Sequence, residues 1–210
     1  MEILLSAGFI LGGYLIGAIP FGLLLVRAIT GQDVRQVGSG RTGGTNALRA
    51  AGPVVGILTV LGDLGKGWLA VWLARTFVGI PAVEALAGVA AITGHNYSVF
   101  IGFKGGAGAM TAVGSAVGLW PWSIIFLLLP AVLMIFITRH ASVASITIGL
   151  MAATVAILRA WCGVAPWAYV IHGAGTLALI LVALVPNIRR LQAGTERRVS
   201  LGRKAQDTSS

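Results

Sequence analysis

The 210-residue sequence is poor in charged residues, in acidic residues above all, and in cysteine. Charged residues make up 10% of it and hydrophobic residues 57%, a balance that excludes an ordinary soluble globular protein. The one cysteine, Cys162, excludes an internal disulfide and a site of several thiolates, and we expect it to be a small packing residue. The sequence also has no metal-cluster or nucleotide-binding pattern, so we expect no cofactor and no dependence on a metal or on coenzyme A.

Long apolar runs fill most of the chain, which indicates a polytopic membrane protein. We predict an all-α integral membrane protein with about seven transmembrane helices, forming a single domain over residues 1–202, followed by a disordered polar tail at 203–210. Because Pro121 divides one apolar region, residues 109–138 are open to a second reading as one kinked helix or a re-entrant pair. The seven runs lie at 3–26, 53–77, 80–95, 109–120, 121–138, 142–159 and 164–185.

The net charge of +9 is distributed unevenly along the chain. With the N-terminus outside, twelve basic residues fall on the cytoplasmic side and only Arg75 and Arg159 on the other, with Lys66 left inside a helix. This bias predicts an outside N-terminus and a cytoplasmic C-terminus. The positive excess favours anionic lipid head groups and gives no reason to expect nucleic acid. The twelve residues are Arg27, Arg35, Arg41, Arg49, Lys104, Arg139, Arg189, Arg190, Arg197, Arg198, Arg203 and Lys204.

A glycine-rich stretch at 94–108, GHNYSVFIGFKGGAG, carries a lone lysine between two apolar segments. A cation in that setting is costly unless it meets water or an anion. Gly105 and Gly106 let backbone N–H groups approach a ligand, so the stretch is typical of a phosphate cradle, although Lys104 alone is also explained as a marker of the membrane edge. His95, at the end of the preceding helix, is open to a general-base role or to simple capping.

The loop at 38–49, GSGRTGGTNALR, combines glycines, hydroxyls and arginines. Ser39, Thr45, Arg49 and backbone N–H groups can surround an anion, since a guanidinium offers phosphate a bidentate fork. A flexible loop with ordinary turn and cap residues is the alternative.

Polar residues elsewhere have simpler explanations. Asp63 and Lys66 lie three apart within an apolar run, where charges generally pair, and we interpret them as a structural ion pair. Ser142 is explained as a helix cap, although the helix dipole adds some attraction for an anion. Attraction to anionic lipids explains the basic segment at 187–198 but not the acidic Glu196 within it.

Four segments predicted on one membrane face together resemble the acyl-phosphate:glycerol-3-phosphate acyltransferase (PlsY) family of bacteria. They are VGSGRTGGTNALRAAG at 37–52, GHNYSVFIGFKGGAGAMTAVG at 94–114, SVASIT at 142–147 and NIRRLQAGTERR at 187–198. The resemblance implies a seven-helix enzyme of the bacterial inner membrane with a cytoplasmic active site. It implies transfer of a fatty acyl group from acyl phosphate to the 1-hydroxyl of glycerol 3-phosphate, giving lysophosphatidate and phosphate for phospholipid biosynthesis.

The resemblance also implies the site residues and the partners, which are glycerol 3-phosphate, acyl phosphate and membrane lipids. Catalytic roles fall on Ser39, Asn46, His95 and Asn187. Phosphate binding falls on Arg49, Lys104 with Gly105 and Gly106, and Ser142, while Glu196 has a supporting role. Direct attack by the glycerol hydroxyl, with a substrate phosphate oxygen accepting the proton, is our mechanistic hypothesis, and Ser39 or His95 as nucleophile or base is the competing one.

Three positions depart from the family pattern. Arg41 stands where an asparagine is usual, Ala107 where a second lysine is usual and Leu184 where a histidine is common. Two polar groups are lost, whereas Arg41 adds a cation, which we count among the phosphate-binding residues. Altered substrate preference, reduced activity and loss of catalysis all stay open, and the retained motif residues favour an active enzyme. The alternatives are a transporter of a small phosphorylated metabolite, with Asp63 and Lys66 along its path, and a catalytically silent homologue.

Overall fold

The computed structural model describes residues 1–199, which form helices and no strand. The predicted tail at 203–210 and the predicted domain end at 202 lie outside the described residues. Two short 3-10 turns lie at Val34–Gln36 and Val99–Ile101. The α-helices are α1 (Glu2–Ala18), α2 (Phe21–Thr30), α3 (Gly44–Phe77), α4 (Pro81–Asn96), α5 (Ala109–Leu119), α6 (Ser123–Thr138), α7 (Ala141–Trp161) and α8 (Tyr169–Gln192).

Four segments are long and apolar enough to cross a membrane: Glu2–Thr30, which contains α1 and α2, and the helices α3, α7 and α8. The helices α5 and α6 are apolar but shorter, at 11 and 16 residues, against the roughly 20 that a full crossing needs. The predicted helical class is therefore confirmed. The count of seven spans and the orientation stay predictions.

Proline and glycine mark the places where helices differ from the apolar runs. The first run is interrupted because α1 ends before Pro20 and α2 begins after it, as expected for a residue without an N–H group. Residues 109–138 form two helices, separated at 120–122, and not one kinked helix. In α3 the backbone breaks at Gly52, whose φ of +84° favours glycine, so residues 44–51 form a separate first segment before Pro53.

The helices pack in close pairs, with α1 against α4, α3 against α5, and α7 against α8. A shared apolar core lies between α4, α5, α6, α7 and α8 and includes Ile92, Val113, Leu127, Ile148 and Ile180. Glycine permits the closest approaches, as is common between helices in membranes. A Cβ on Gly17 of α1 would overlap the carbonyl oxygen of Ala91 on α4.

Polar groups join the helices at the end of the bundle where α3 finishes and α8 begins. Arg75 Nε lies 3.0 Å from Glu84 Oε2, and the Tyr169 hydroxyl donates to the same oxygen over 2.8 Å. Arg75 also donates to the Gly118 carbonyl at the end of α5, over 2.8 Å. Cys162, expected to pack inside, is instead exposed just after α7, so that expectation is wrong.

The glycine contact between α1 and α4 predicts a position-specific loss of stability. Gly17→Ala should lower the free energy of unfolding by about 1–3 kcal/mol, because the added methyl group forces the two backbones apart. Thermal unfolding in detergent measures this. Gly8→Ala on the same helix is the control, since a Cβ there meets nothing within 4 Å. Equal midpoints for the two variants would contradict the packing described.

Candidate active site

A cavity of about 420 Å³ lies where the loop before α3, the chain before α5, and the helices α6, α7 and α8 meet. This volume is in the range of small-molecule binding sites. Part of its lining carries hydroxyl, amide, carboxylate and guanidinium groups. The apolar part of the lining lies on α5, α6 and α7 and consists mainly of Met110, Leu128, Ala131, Val132, Ile135 and Ile148.

Most of the residues singled out in the sequence meet at this cavity. The residues that line it lie on four helices and two loops, whereas the residues outside the lining all lie on one loop. The lining residues are Ser39, Arg41, Asn46, Arg49, His95, Ser142, Asn187 and Glu196. The residues Lys104, Gly105 and Gly106 are not part of the lining.

Asn46 holds the loop that precedes α3. Its side-chain nitrogen donates to the carbonyl oxygens of Val34, Val37 and Arg41 at 2.8–2.9 Å, and its Oδ1 accepts from the Ser39 N–H over 3.2 Å. The Asn46 residue is 2% exposed, so the amide is fully engaged inside the loop. Asn46 therefore has the geometry of a positioning residue, because its hydrogen bonds fix the backbone at Ser39 and Arg41.

Arg41 crosses the cavity wall and joins two other segments. Its guanidinium donates to the Gly106 carbonyl over 3.4 Å, to Asn187 Oδ1 over 3.0 Å and to the Ala183 carbonyl. Burial lowers the pKa of Arg41, and repulsion from Arg190 lowers it further, yet an arginine stays protonated in proteins. The structure thus has a fixed positive charge between the chain before α5 and helix α8.

The two polar groups missing from the family pattern would lie beside this charge. Ala107 and Leu184 both line the cavity, and each directly follows a residue whose carbonyl accepts a hydrogen bond from Arg41. Leu184 is 2% exposed and belongs to the shared apolar core. The departures at Ala107 and Leu184 therefore lie at one patch of the cavity wall, and the third departure, Arg41, reaches that patch from the loop before α3.

Glu196 organises the chain that follows α8. Its Oε1 accepts from Ser142 Oγ over 3.1 Å and from Asn187 Nδ2 over 2.7 Å, and its Oε2 accepts from Arg190 Nε over 2.7 Å. The Glu196 side chain is 7% exposed. A single carboxylate thus ties the start of α7 to the end of α8, which explains the acidic residue that lipid attraction left unexplained.

Several cavity groups have no side-chain partner within residues 1–199. These are the Ser39 hydroxyl and the guanidinium groups of Arg49 and Arg197. The first residues of α3, Gly44 and Thr45, also line the cavity, where N-terminal N–H groups attract anions. Sequence reasoning missed Arg190 and Arg197 as lining residues, because basic residues beside a membrane helix are first explained by orientation.

Lys104 and the two glycines after it lie apart from this cavity. Lys104 is exposed. The N–H groups of Gly105 and Gly106 donate to the carbonyl oxygens of Asn96 and His95 at 3.1 and 3.0 Å, and a Cβ on either glycine would overlap His95. Close approach to the end of α4 thus accounts for both glycines, and their role in binding phosphate stays a prediction.

The predicted ion pair between Asp63 and Lys66 is confirmed and includes a third residue. Asp63 Oδ1 lies 2.8 Å from Lys66 Nζ and 3.3 Å from His95 Nδ1, and Lys66 also donates to the Ile19 carbonyl over 2.8 Å. All three charged or ionisable side chains are buried, while Asp63 and His95 reach the cavity. The carboxylate orients the imidazole ring, an arrangement that suits positioning or a general base.

Comparison with known protein families gives a consistent result over almost the whole chain. Residues 7–194 match the family model described as glycerol-3-phosphate acyltransferase. A curated relative with that name from Syntrophomonas wolfei is 38% identical over 187 residues, covering 89% of this chain and 93% of the relative. Another from Geotalea daltonii is 42% identical over 196 residues, covering 89% and 94%.

Two solved structures are similar to this chain in fold and sequence. Both are crystal structures of PlsY (YgiH), an integral membrane glycerol 3-phosphate acyltransferase. The glycerol 3-phosphate form has a TM-score of 0.84 and 33% identity, covering 93% of this chain and 96% of that one. The lysophosphatidic acid form has a TM-score of 0.80 and 31% identity, with 92% and 94% covered.

The contacts of Glu196 predict a pH dependence of the chain after α8. Burial raises the pKa of this carboxyl, but hydrogen bonds from Asn187 and Arg190 outweigh burial and hold the pKa below its ordinary value of 4.5. A carboxyl with a depressed pKa stabilises the fold above its ordinary pKa and loses that effect as the pH falls through the depressed value. Amide protection at 193–199 should therefore hold at neutral pH and decline below pH 4.5.

Hydrogen exchange, corrected for the intrinsic pH dependence of amides, measures this protection. Glu196→Gln is the control, because it removes the titrating group while keeping one acceptor oxygen. It should show weaker protection with little dependence on pH. Protection in the unaltered protein that is the same at pH 7 and at about pH 3.5 would contradict the role given to this carboxylate.

Proposed function

The chain belongs to the glycerol-3-phosphate acyltransferase family, and from this premise we propose that it takes its acyl group from an acyl phosphate. Membership makes it an acyltransferase of phospholipid synthesis whose acceptor is glycerol 3-phosphate. The products are then 1-acylglycerol 3-phosphate and inorganic phosphate.

The observation that carries the proposal is that the cavity lining combines polar groups with an apolar wall. The guanidinium and hydroxyl groups suit two phosphorylated molecules, while the apolar wall along α6 suits a fatty chain. Leu128 and Val132 of that wall also line a shallow apolar groove along the outside of α6. A lipid tail can therefore extend from the polar side of the cavity to the membrane-facing surface of the bundle.

Two phosphates in one cavity require compensating positive charge. Arg49, the Ser39 hydroxyl and the N-terminal end of α3 supply one anion site in the proposal. Arg41 and Ser142 add a further charge and a further hydroxyl to the cavity lining. Lys104 is exposed outside the cavity lining, and in the proposal its charge attracts the phosphorylated substrates, while Gly105 and Gly106 allow the chain to pass close to the end of α4.

The proposed reaction is direct attack without a covalent enzyme intermediate. The 1-hydroxyl oxygen of glycerol 3-phosphate forms a bond to the acyl carbonyl carbon, the bond from that carbon to the phosphate oxygen breaks, and phosphate leaves. The hydroxyl proton passes to a phosphate oxygen of a substrate. Acyl phosphate is a mixed anhydride with a good leaving group, so positioning and charge neutralisation supply most of the rate.

Ser39 and His95 offer the competing mechanism. Ser39 is exposed at the cavity with its hydroxyl unpaired among residues 1–199, and His95 is oriented by Asp63. In that version serine takes the acyl group, or histidine takes the proton, before the product forms. An acyl-enzyme trapped after rapid quenching would favour it over direct attack.

We propose that the cavity faces the cytoplasm of a bacterium, with the N-terminus outside and seven membrane crossings. The loops that line the cavity are the same ones that carry most of the basic residues, which favours the cytoplasmic side under the positive-inside rule. In this arrangement Glu2–Thr30 counts as one crossing. Labelling that locates residues 49 and 104 on opposite membrane faces would rule the arrangement out.

The first functional prediction concerns Arg49 and Lys104. Purified protein should convert acyl phosphate and glycerol 3-phosphate into lysophosphatidate and phosphate, and Arg49→Ala should lower kcat/KM by about tenfold to a hundredfold through loss of a charge-assisted phosphate contact. Lys104→Ala should lower it as well. Arg27→Ala is the matched control, because Arg27 is an exposed arginine on α2 that does not line the cavity.

Each outcome of this assay has a distinct meaning. Turnover of Lys104→Ala equal to that of Arg27→Ala would remove Lys104 from the site, and the same result for Arg49→Ala would remove the anion site proposed on α3. Substrate flux through proteoliposomes without any product would favour a transporter. Absence of both flux and product in the unaltered protein would favour a silent homologue.

The second functional prediction concerns the apolar wall. Val132 is 44% exposed and lines both the cavity and the outer groove, so Val132→Phe should obstruct long chains. We expect kcat/KM for the longest acyl phosphates to fall by about tenfold relative to short ones. Leu133→Phe is the control, because Leu133 is 54% exposed and lines neither space. The same chain-length profile for both variants would refute this path.

A further inference from the structure

Arg197 is held at the cavity by anchors on both sides of it in the chain. The residue before it, Glu196, is bound by Ser142, Asn187 and Arg190. Two residues after it, the Val199 N–H donates to the Arg139 carbonyl over 2.6 Å. An exposed arginine beyond the last helix is ordinarily mobile. Here hydrogen bonds on both sides of Arg197 hold its backbone beside the start of α7.

The four cavity arginines differ in what their guanidinium groups already bind. Arg41 is engaged with two carbonyl oxygens and the Asn187 side chain, and Arg190 is engaged with Glu196. Arg49 and Arg197 line the cavity with no hydrogen bond or ion pair from their side chains to other residues in the described part of the chain. These two have all five N–H donors available for a ligand.

The two uncommitted arginines come from different parts of the fold. Arg49 lies on the first segment of α3, and Arg197 lies beyond the end of α8. Arg197 adjoins the anchored start of α7, where Ala144 and Ile148 continue the lining toward the apolar wall. Each of two phosphates can therefore accept bidentate hydrogen bonds from its own guanidinium group, whereas a single arginine would have to divide its donors between them.

We propose that Arg197 binds the phosphoryl group of one of the two substrates, and that Glu196 is the positioning residue that holds it there. The inference rests on the proposed function, because only a reaction with two phosphorylated substrates calls for a second fork. It assigns a binding role to a residue to which the resemblance gave none. It also gives the carboxylate a purpose beyond packing, since Glu196 fixes the chain immediately before the ligand-binding arginine.

Arg198 is the matched control for Arg197. It is the next residue in the same anchored segment and is also exposed, but it does not line the cavity. General attraction to anionic lipids or to charged substrates acts on both arginines nearly alike. A difference between them therefore reports a specific contact.

The experiment measures steady-state kinetics of the full-length protein with each substrate varied in turn. Arg197→Gln should raise KM for either acyl phosphate or glycerol 3-phosphate by about tenfold to a hundredfold, whereas Arg198→Gln should leave both within about twofold of the unaltered protein. The substrate whose KM rises identifies the phosphoryl group that is bound. Arg197→Lys, which keeps the charge and loses the fork, should recover part of the affinity.

The role of Glu196 is tested by a double-mutant cycle. Glu196→Ala should raise the same KM as Arg197→Gln, and the two changes together should raise it little further, because the anchored segment is already released. Additive effects would overturn the positioning role. Equal KM values for Arg197→Gln and Arg198→Gln would overturn the binding role. If the unaltered protein makes no lysophosphatidate, the proposed function itself fails, and that result is distinct from either of these.

Discussion

The site depends on holding several like charges together beside a membrane, and one carboxylate makes this possible. Arg41, Arg190 and Arg197 approach a common cavity, where their repulsion opposes folding. Glu196 pairs directly with Arg190 and reaches Arg41 through Asn187, which accepts from one partner and donates to the other. An anion surrounded by donors thus helps to fix the positions of the cavity cations, and these polar contacts are in place without a ligand.

Close backbone contact is the second constraint, and it explains glycines that otherwise suggest ligand binding. Between helices in lipid no hydrophobic driving force favours association, so small residues that allow near approach gain importance. Gly17 against α4 and Gly105 with Gly106 against the end of α4 are examples. The two glycines therefore allow the chain to pass close to His95, and their N–H groups donate to carbonyl oxygens at the end of α4.

Apolar runs are local signals, and they allowed the helical class and most helix positions to be predicted. The eight cavity residues were predicted from dense polar motifs together with the family resemblance that those motifs carry. The breaks at Pro20 and Gly52 were not predicted, because the run 3–26 predicts one helix and a single glycine is a weak signal. What could not be predicted depends on how loops fold back. Lys104 and Ser39 lie in similar glycine-rich loops, yet only Ser39 lines the cavity. From the sequence, Arg197 is explained by membrane orientation alone. Its place at the cavity could not be predicted, because it depends on long-range contacts of the neighbouring Glu196.

Arg41 bears on whether the departures from the family pattern weaken the enzyme. Replacing a lysine by Ala107 and a histidine by Leu184 would leave a poorly charged wall if nothing else changed. The Arg41 guanidinium, however, is hydrogen-bonded to the carbonyls directly before both positions, so a positive charge lies at the patch from which two polar groups are missing. Because that charge is fixed by three acceptors, it acts as a preorganised field more than as a mobile ligand. A cation therefore lies beside both Ala107 and Leu184, and this favours the reading of a chain that retains acyl transfer.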